Sequence, residues 1–302
     1  MQSIISLNNN MDGTPPLSYS EQGSLAVREL THEHEAEVLN FLALRPLHTV
    51  AMVSLIRDNG LISPFNRGTF YACRDEATGE LEGVALIGHA TLIETRSEAG
   101  LAAFAPIARE CERTHVIMGE RDKLEDFWYY YAEEGESPRV LCRELLFEQR
   151  VPEQGREIVS GLRRATLADL HLIAPVQAGM ALEESGVNPL EKDPEGFRAR
   201  CARRIEQGRS WVWVEDGRLI FKADIIAETS EVVYLEGVYV NPQERGKGYG
   251  QRCMAQLGRT LLARVKSICL LVNEQNEEAA AFYRKAGYKL RSYYDTIYMQ
   301  HN

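Results

Sequence analysis

The segment Arg245-Gly246-Lys247-Gly248-Tyr249-Gly250 concentrates glycines and cations in six consecutive residues, a composition suited to holding an anion. Glycines let a backbone approach a phosphate closely, and a helix that starts there offers unpaired N–H groups and the positive end of its dipole. The flanks agree with that use. Glu231 to Val240 reads Glu-Val-Val-Tyr-Leu-Glu-Gly-Val-Tyr-Val, a β-branched and aromatic run that predicts a strand, and Asn241-Pro242 ends it. A helix is expected from about Gly250, because Met254, Leu257, Leu261, Leu262 and Val265 recur at three- and four-residue spacing. Arg252 adds a further cation beside the turn. The segment is not a P-loop, since Gly-Lys is followed by Gly rather than Ser or Thr, and the dinucleotide fingerprint places its last glycine one position later. An ordinary glycine turn before a helix has the same letters, so the turn alone assigns no ligand.

The elements that must position this turn follow in order. Ser267 to Val272 predicts a short buried strand. Asn276 then caps a helix running through Ala286, closed by Gly287, and Tyr288 to Met299 predicts a final strand. Earlier in the chain a similar order occurs. Leu25–Thr31 and Gly161–Thr166 each lead from a strand into a helix (33–44 and 167–177), with Thr31 and Thr166 placed to cap it. Thr69–Arg74 with Gly83–Leu92, and Ser210–Glu215 with Arg218–Glu228, predict hairpins across Thr78-Gly79 and Asp216-Gly217. Thr114–Gly119 followed by Leu124–Tyr131 parallels Ser267–Val272 followed by Ala279–Tyr283. These correspondences predict an internal duplication: a tail over 1–24, one unit over 25–155 and a second over 156–302. The glycine turn has no partner in the first unit, where Glu94 to Gly100 holds one glycine.

Composition bounds the function. The 302 residues are 44% hydrophobic and 26% charged, with a formal net charge of −10, as in a globular protein with a core. An acidic balance argues against nucleic acid as main partner. It is uneven, with 13 basic against 24 acidic residues in positions 1–150, which suits a cationic partner or simply a solvated surface. No stretch is apolar enough for a membrane helix and the first residues lack a secretory pattern. The six cysteines form no C-x-x-C pair, so buried thiols, no metal and a cytoplasmic setting are expected.

Arg245-x-x-Gly248-x-Gly250 after a strand, followed by Asn276-x-x-Ala279-x-x-Phe282-Tyr283-x-x-x-Gly287-Tyr288, resembles the GCN5-related N-acetyltransferase (GNAT) superfamily. Both motifs occur in the family's order, separated by one helix and one strand. The resemblance covers 161–300 well and 25–150 weakly, and the layout is similar to tandem members with a degenerate first half. It implies an α/β (α+β) fold of two mixed β-sheet domains with flanking helices, the second complete, and acetyl-CoA as co-substrate.

The resemblance also implies roles. Backbone groups of Val238, Tyr239 and Val240 would hold the pantetheine and thioester carbonyl, and the N–H groups of Arg245, Gly246, Lys247, Gly248, Tyr249 and Gly250 the pyrophosphate. Asn276 would bond the pantetheine, cap its helix, or do both. An amine would attack the thioester directly, with Val238 N–H available to the oxyanion. Tyr283 is the expected acid for the leaving thiolate, or else a core tyrosine beside Phe282. Glu236 is the expected base, or a solvated carboxylate. On a regular strand Glu236, Val238 and Val240 share one face and Tyr239 takes the other; a bulge would shift this. The acceptor segment is expected over 180–200, whose Glu183, Glu184, Glu191, Asp193 and Glu195 suit a cationic amine or an acidic surface. Tyr234 and Trp213 line the acceptor pocket or belong to the core. A CoA-binding regulator without catalysis, and an enzyme that modifies proteins, stay open as alternatives, and the chain is expected as a monomer or homodimer.

Overall fold

The computed structural model describes residues 24–134 and 136–300, so the expected tail lies, but for Ser24, outside the described residues. The first half runs β1 (Leu25–Glu29), α1 (Glu35–Leu42), α2 (Pro46–Asn59), β2 (Gly68–Asp75), β3 (Leu81–Gly88), β4 (Ala90–Thr95), α3 (Glu98–Arg109), β5 (Val116–Glu120), α4 (Arg121–Tyr131) and β6 (Val140–Gln149). The second runs β7 (Leu162–Arg164), α5 (Leu170–Ser185), α6 (Pro189–Lys192), α7 (Pro194–Glu206), β8 (Ser210–Glu215), β9 (Arg218–Glu228) and β10 (Val232–Val240). It ends with α8 (Tyr249–Leu262), β11 (Ser267–Asn273), α9 (Glu277–Lys285) and β12 (Lys289–Tyr298). The expected α/β class is what folds, and the local chemistry of the two halves matches. Thr31 N–H donates to His34 Nδ1 at 3.1 Å, and Thr166 N–H donates to Asp169 Oδ2 at 2.8 Å. Asp216 and Gly217 turn the β8–β9 hairpin with φ of 49° and 71°, the left-handed pair that a tight hairpin requires.

The strands of both halves join one 12-stranded sheet in the order β1-β2-β3-β4-β5-β12-β6-β11-β10-β9-β8-β7. Each half therefore hands its last strand to the other. β6 lies antiparallel to β11, from Ile268 opposite Gln149 to Asn273 opposite Glu144, and β12 lies between β6 and β5. The reason is legible in β6 itself. Leu145 and Phe147 enter the core on the α8 face, while Leu146 enters a separate cluster with Val50, Val232 and Cys269 on the other. A strand apolar on both faces is stable only where both faces are covered. Helix α2 supplies part of that cover, packing on β9 and β10 of the second half.

Residues 156–302 expressed alone would leave the β11 edge bare and β12 without either neighbour. We expect that fragment to be insoluble or unfolded by circular dichroism, and co-expression with residues 1–155 to restore a folded complex.

Candidate active site

β10 pairs in parallel with β11 only from Val232 opposite Ser267 to Tyr234 opposite Cys269; beyond that the two strands separate. The pairing of β10 with β9 is also interrupted, between Glu236 and Tyr239, because Gly237 takes a φ of 60°. Lys222, fully buried, holds this bulge. Its Nζ donates to Gly237 O at 3.0 Å and Gln177 Oε1 at 2.7 Å, and pairs with Asp224 at 2.7 Å. A Cβ at 237 would meet Lys222 Nζ at 2.7 Å, so both the backbone angle and the clamp require glycine there. Burial works against the Asp224 charge, but Lys222 and Arg204 beside it hold the carboxyl below its ordinary range.

The bulge breaks the strand's alternation. Val233, Leu235, Val238 and Val240 all pack toward the α8 side. Glu236, opposite Asp224, and Tyr239, opposite Lys222, lie on the other face, where Tyr239 packs against the α5 side. The regular-strand expectation, with Glu236 and Val238 on one face, is therefore replaced by its bulged alternative.

A cleft of about 530 Å³ opens where β10 leaves β11, lined among others by Val238, Val240, Arg245, Gly246, Gly248, Tyr249, Gly250, Asn276 and Tyr283. Gly246 and Gly248 have φ of 76° and 80°, and no atom lies where their Cβ would be. Among the described residues, the backbone N–H groups of Gly246 to Gln251 have no acceptor in the protein, the condition for an anion site at the start of α8. Gly250 answers to packing instead: its Cβ would meet Val240 at 2.9 Å and Phe282 at 3.0 Å. Lys247 turns aside to Glu244 at 2.8 Å and Arg252 to Glu157 at 3.2 Å. Arg245 Nε donates to Val240 O at 3.3 Å. Trp213 packs against the core on the α8 side and stands edge-on to Tyr249 with centroids 4.9 Å apart, buttressing the turn.

Asn276 Oδ1 accepts from Ala279 N at 2.9 Å, capping α9, while it also lines the cleft. Tyr283 is buried between Phe282 and Tyr288. Burial pushes its phenol up, so it keeps its proton at neutral pH.

The opposite face of the opening collects carboxylates. Glu236 has an exposed side chain but stands among many protein atoms, and that desolvation raises its carboxyl, with Arg204 opposing and Glu184 adding to the shift. Glu144, from the exchanged strand β6, is buried. Burial pushes it up to about 7, opposed by the Thr296 hydroxyl, which donates to Oε2 at 2.6 Å, and reinforced by Glu184 and Glu236. Tyr234 sits among these same charges. Of the acidic residues expected to greet an acceptor, Glu184 reaches this group and accepts from Tyr298 OH at 3.0 Å. Asp193 instead caps α7 and pairs with Arg200, Glu191 accepts from Asn188, and Glu183 and Glu195 are exposed. Lys222, Gln177 and Glu144 were not expected at all. A lysine and a glutamate inside apolar strand segments were the available signal, but their partners come from distant elements.

The first half has the corresponding opening, with β4 and β5 parallel from Ala90 opposite Val116 to Leu92 opposite Met118. There the space is only about 50 Å³ and charge fills it: Arg45 pairs with Glu94 at 3.0 Å and Glu120 at 2.7 Å, and Lys123 with Glu94 at 3.1 Å. Ser97 caps α3 directly, accepting from Gly100 N at 3.3 Å, with no glycine loop between strand and helix.

Residues 180–288 match the model of the acetyltransferase (GNAT) family. That match lies wholly in the second half of the chain. Solved GNAT structures share the architecture over nearly the whole length. A GCN5-related N-acetyltransferase from Sphaerobacter thermophilus is 14% identical with a TM-score of 0.60, covering 90% of this chain and 94% of that one. A tandem GNAT protein from the clavulanic acid biosynthesis pathway is 14% identical with a TM-score of 0.57, covering 92% and 100%. At these identities the likeness is one of fold. In sequence, a UPF0039 protein of Schizosaccharomyces pombe is 34% identical over 74 residues, 24% of this chain and 49% of that protein, so the chain spans about half the length of this curated relative. Family and fold together support acyl transfer as the general activity.

Two measurements test the site's electrostatics. Lys222→Met leaves Asp224 buried without its nearest cation, and should cost about 3 kcal/mol in chemical denaturation. Glu144 binds its proton more tightly folded than unfolded, with a folded value of about 7 against an ordinary 4.5. Its contribution to stability is present below pH 4.5 and lost as pH rises to about 7. Glu144→Gln should therefore melt higher than wild type at pH 7, by a margin that shrinks toward pH 4.5.

Proposed function

We propose that this protein is an N-acetyltransferase that moves the acetyl group of acetyl-CoA to a primary amine by direct attack in a ternary complex. One acyl-CoA site lies in residues 156–302, and residues 25–155 form a degenerate GNAT-like unit. The observation that carries this reading is the continuity of one cleft. Unpaired N–H groups of Gly246 to Gln251 stand at one end, the unpaired edge of β10 runs through its middle, and Tyr283 lies in its wall.

Each part has a task. The N–H groups at the start of α8 bind the pyrophosphate, with Arg245 adding charge. The β10 edge from Leu235 to Val240, freed of β11, pairs with the amide-bearing pantetheine arm, which Asn276 joins through its amide. Val238 N–H then faces the thioester oxygen, where negative charge develops during attack. Glu236, on the opposite face, removes the proton that makes the amine nucleophilic, and its raised carboxyl suits that work near neutrality. Tyr283 holds its proton until the thiolate departs. The filled opening of the first half supports a single site per chain.

Tyr283→Phe should lower kcat by about a hundredfold while calorimetric acetyl-CoA affinity stays within a few-fold. Unchanged turnover removes Tyr283 from the reaction. Acetyl-CoA binding without thiol release across a broad amine panel would point to a non-catalytic CoA-binding module. Mass gain on proteins in place of small amines would point to a protein-modifying enzyme.

A further inference from the structure

Six Asp and Glu residues of the described chain are buried: Glu94, Glu144, Glu148, Asp169, Asp224 and Asp295. Five are compensated by a cation. Glu94 has Arg45 and Lys123, Glu148 has Arg150 and Arg291, Asp169 has Arg163, Asp224 has Lys222 and Arg204, and Asp295 has Arg121. Glu144 alone has no ionic partner among the described residues; its one hydrogen bond comes from the neutral Thr296 hydroxyl. It is 9% exposed. A buried carboxylate without a cation is costly, and this fold compensates every other one.

The position of Glu144 gives the exception a meaning. Glu144 lies opposite Asn273, Asn273 shares a face of β11 with Cys269, and Cys269 lies opposite Tyr234. Tyr234 and Glu236 share a face of β10, ahead of the bulge. The register thus sets Glu144, Tyr234 and Glu236 on one side of the point where β10 and β11 part. Glu184 of α5 adds its charge to both Glu144 and Glu236. This is the side away from the acyl-CoA cleft wall formed by Val238 and Val240.

Building on the acetyltransferase reading, we propose that Glu144, lent by the first half through strand exchange, is a specificity-determining residue of the acceptor site, and that the acceptor is a small amine of net positive charge. The cation that the fold withholds from Glu144 is the acceptor's own. Glu184 and Glu236 strengthen the attraction and repel an acceptor bearing a carboxylate near its amine. The first half thereby contributes a side chain to the only open acyl-CoA cleft found among the described residues.

The probes are 1,4-diaminobutane and 4-aminobutanoate, of equal length but differing in one end group. Wild type should acetylate the diamine with kcat/KM at least about tenfold above the aminobutanoate, and the diamine alone should raise its melting temperature. Glu144→Gln should raise the KM for the diamine by about tenfold or more, collapse the preference, and abolish the thermal shift, while the KM for acetyl-CoA stays within about twofold. Glu144→Asp should recover part of the preference. Equal use of the two amines by wild type, an unchanged preference in Glu144→Gln, or no thermal shift with the diamine overturns the proposal. Calorimetry with acetyl-CoA is read separately: failure there sinks the acetyltransferase reading, whereas normal binding with no preference for the diamine sinks only this one.

Discussion

The site depends on a buried ion pair that holds one glycine out of line. Lys222 and Asp224 neutralise each other inside the sheet, and the ammonium's remaining hydrogen bonds go to Gly237 O and Gln177. The clamp fixes the bulge of β10 against β9 just past the point where β10 parts from β11. The bulge takes Gly237 and Val238 out of the ladder with β9. It also reverses which side chains face which layer, placing Val238 and Val240 against the α8 core and Glu236 beside Asp224 on the other. The proposed function uses that division, with co-substrate on one side of the strand and acceptor on the other.

The exchange of last strands makes the two halves one folding unit. β6 and β12 lie in the middle of the sheet, β6 between two strands of the second half (β12 and β11) and β12 between two strands of the first (β5 and β6). The first half does more than accompany the second. Here it completes the edge of β11, lays α2 over β9 and β10, and places Glu144 at the opening. Its own opening is closed by the network of Arg45, Lys123, Glu94 and Glu120. Charges that would face a ligand in an open site face each other instead.

Much of this was written in local sequence. The hairpin turn at Asp216-Gly217, the Asn276 cap and the strand, turn and helix around Gly248 rest on interactions a few residues long, where side-chain type fixes backbone angle or hydrogen bonding directly. The glycine turn and the downstream Asn276–Tyr288 motif, in order, were enough to point to the superfamily. Their geometry follows the expected form, with left-handed Gly246 and Gly248 and free N–H groups at the helix start.

Tertiary structure decided what local pattern does not encode. Nothing in the run Glu231 to Val240 says where its alternation breaks after Glu236, because the break depends on a lysine from β9 that donates both to the Gly237 carbonyl and to a glutamine of α5. Nothing near Glu144 announces a place beside the β10–β11 opening, because it comes there only when β6 crosses into the other half. The acids over 180–200 suit either an acceptor or an acidic surface by composition; most of them turn to caps and surface, and Glu184 alone joins the group around Glu236. Local sequence determines the angles and the caps; which charges share a cavity is set by strand order and register, and those depend on residues more than a hundred positions apart.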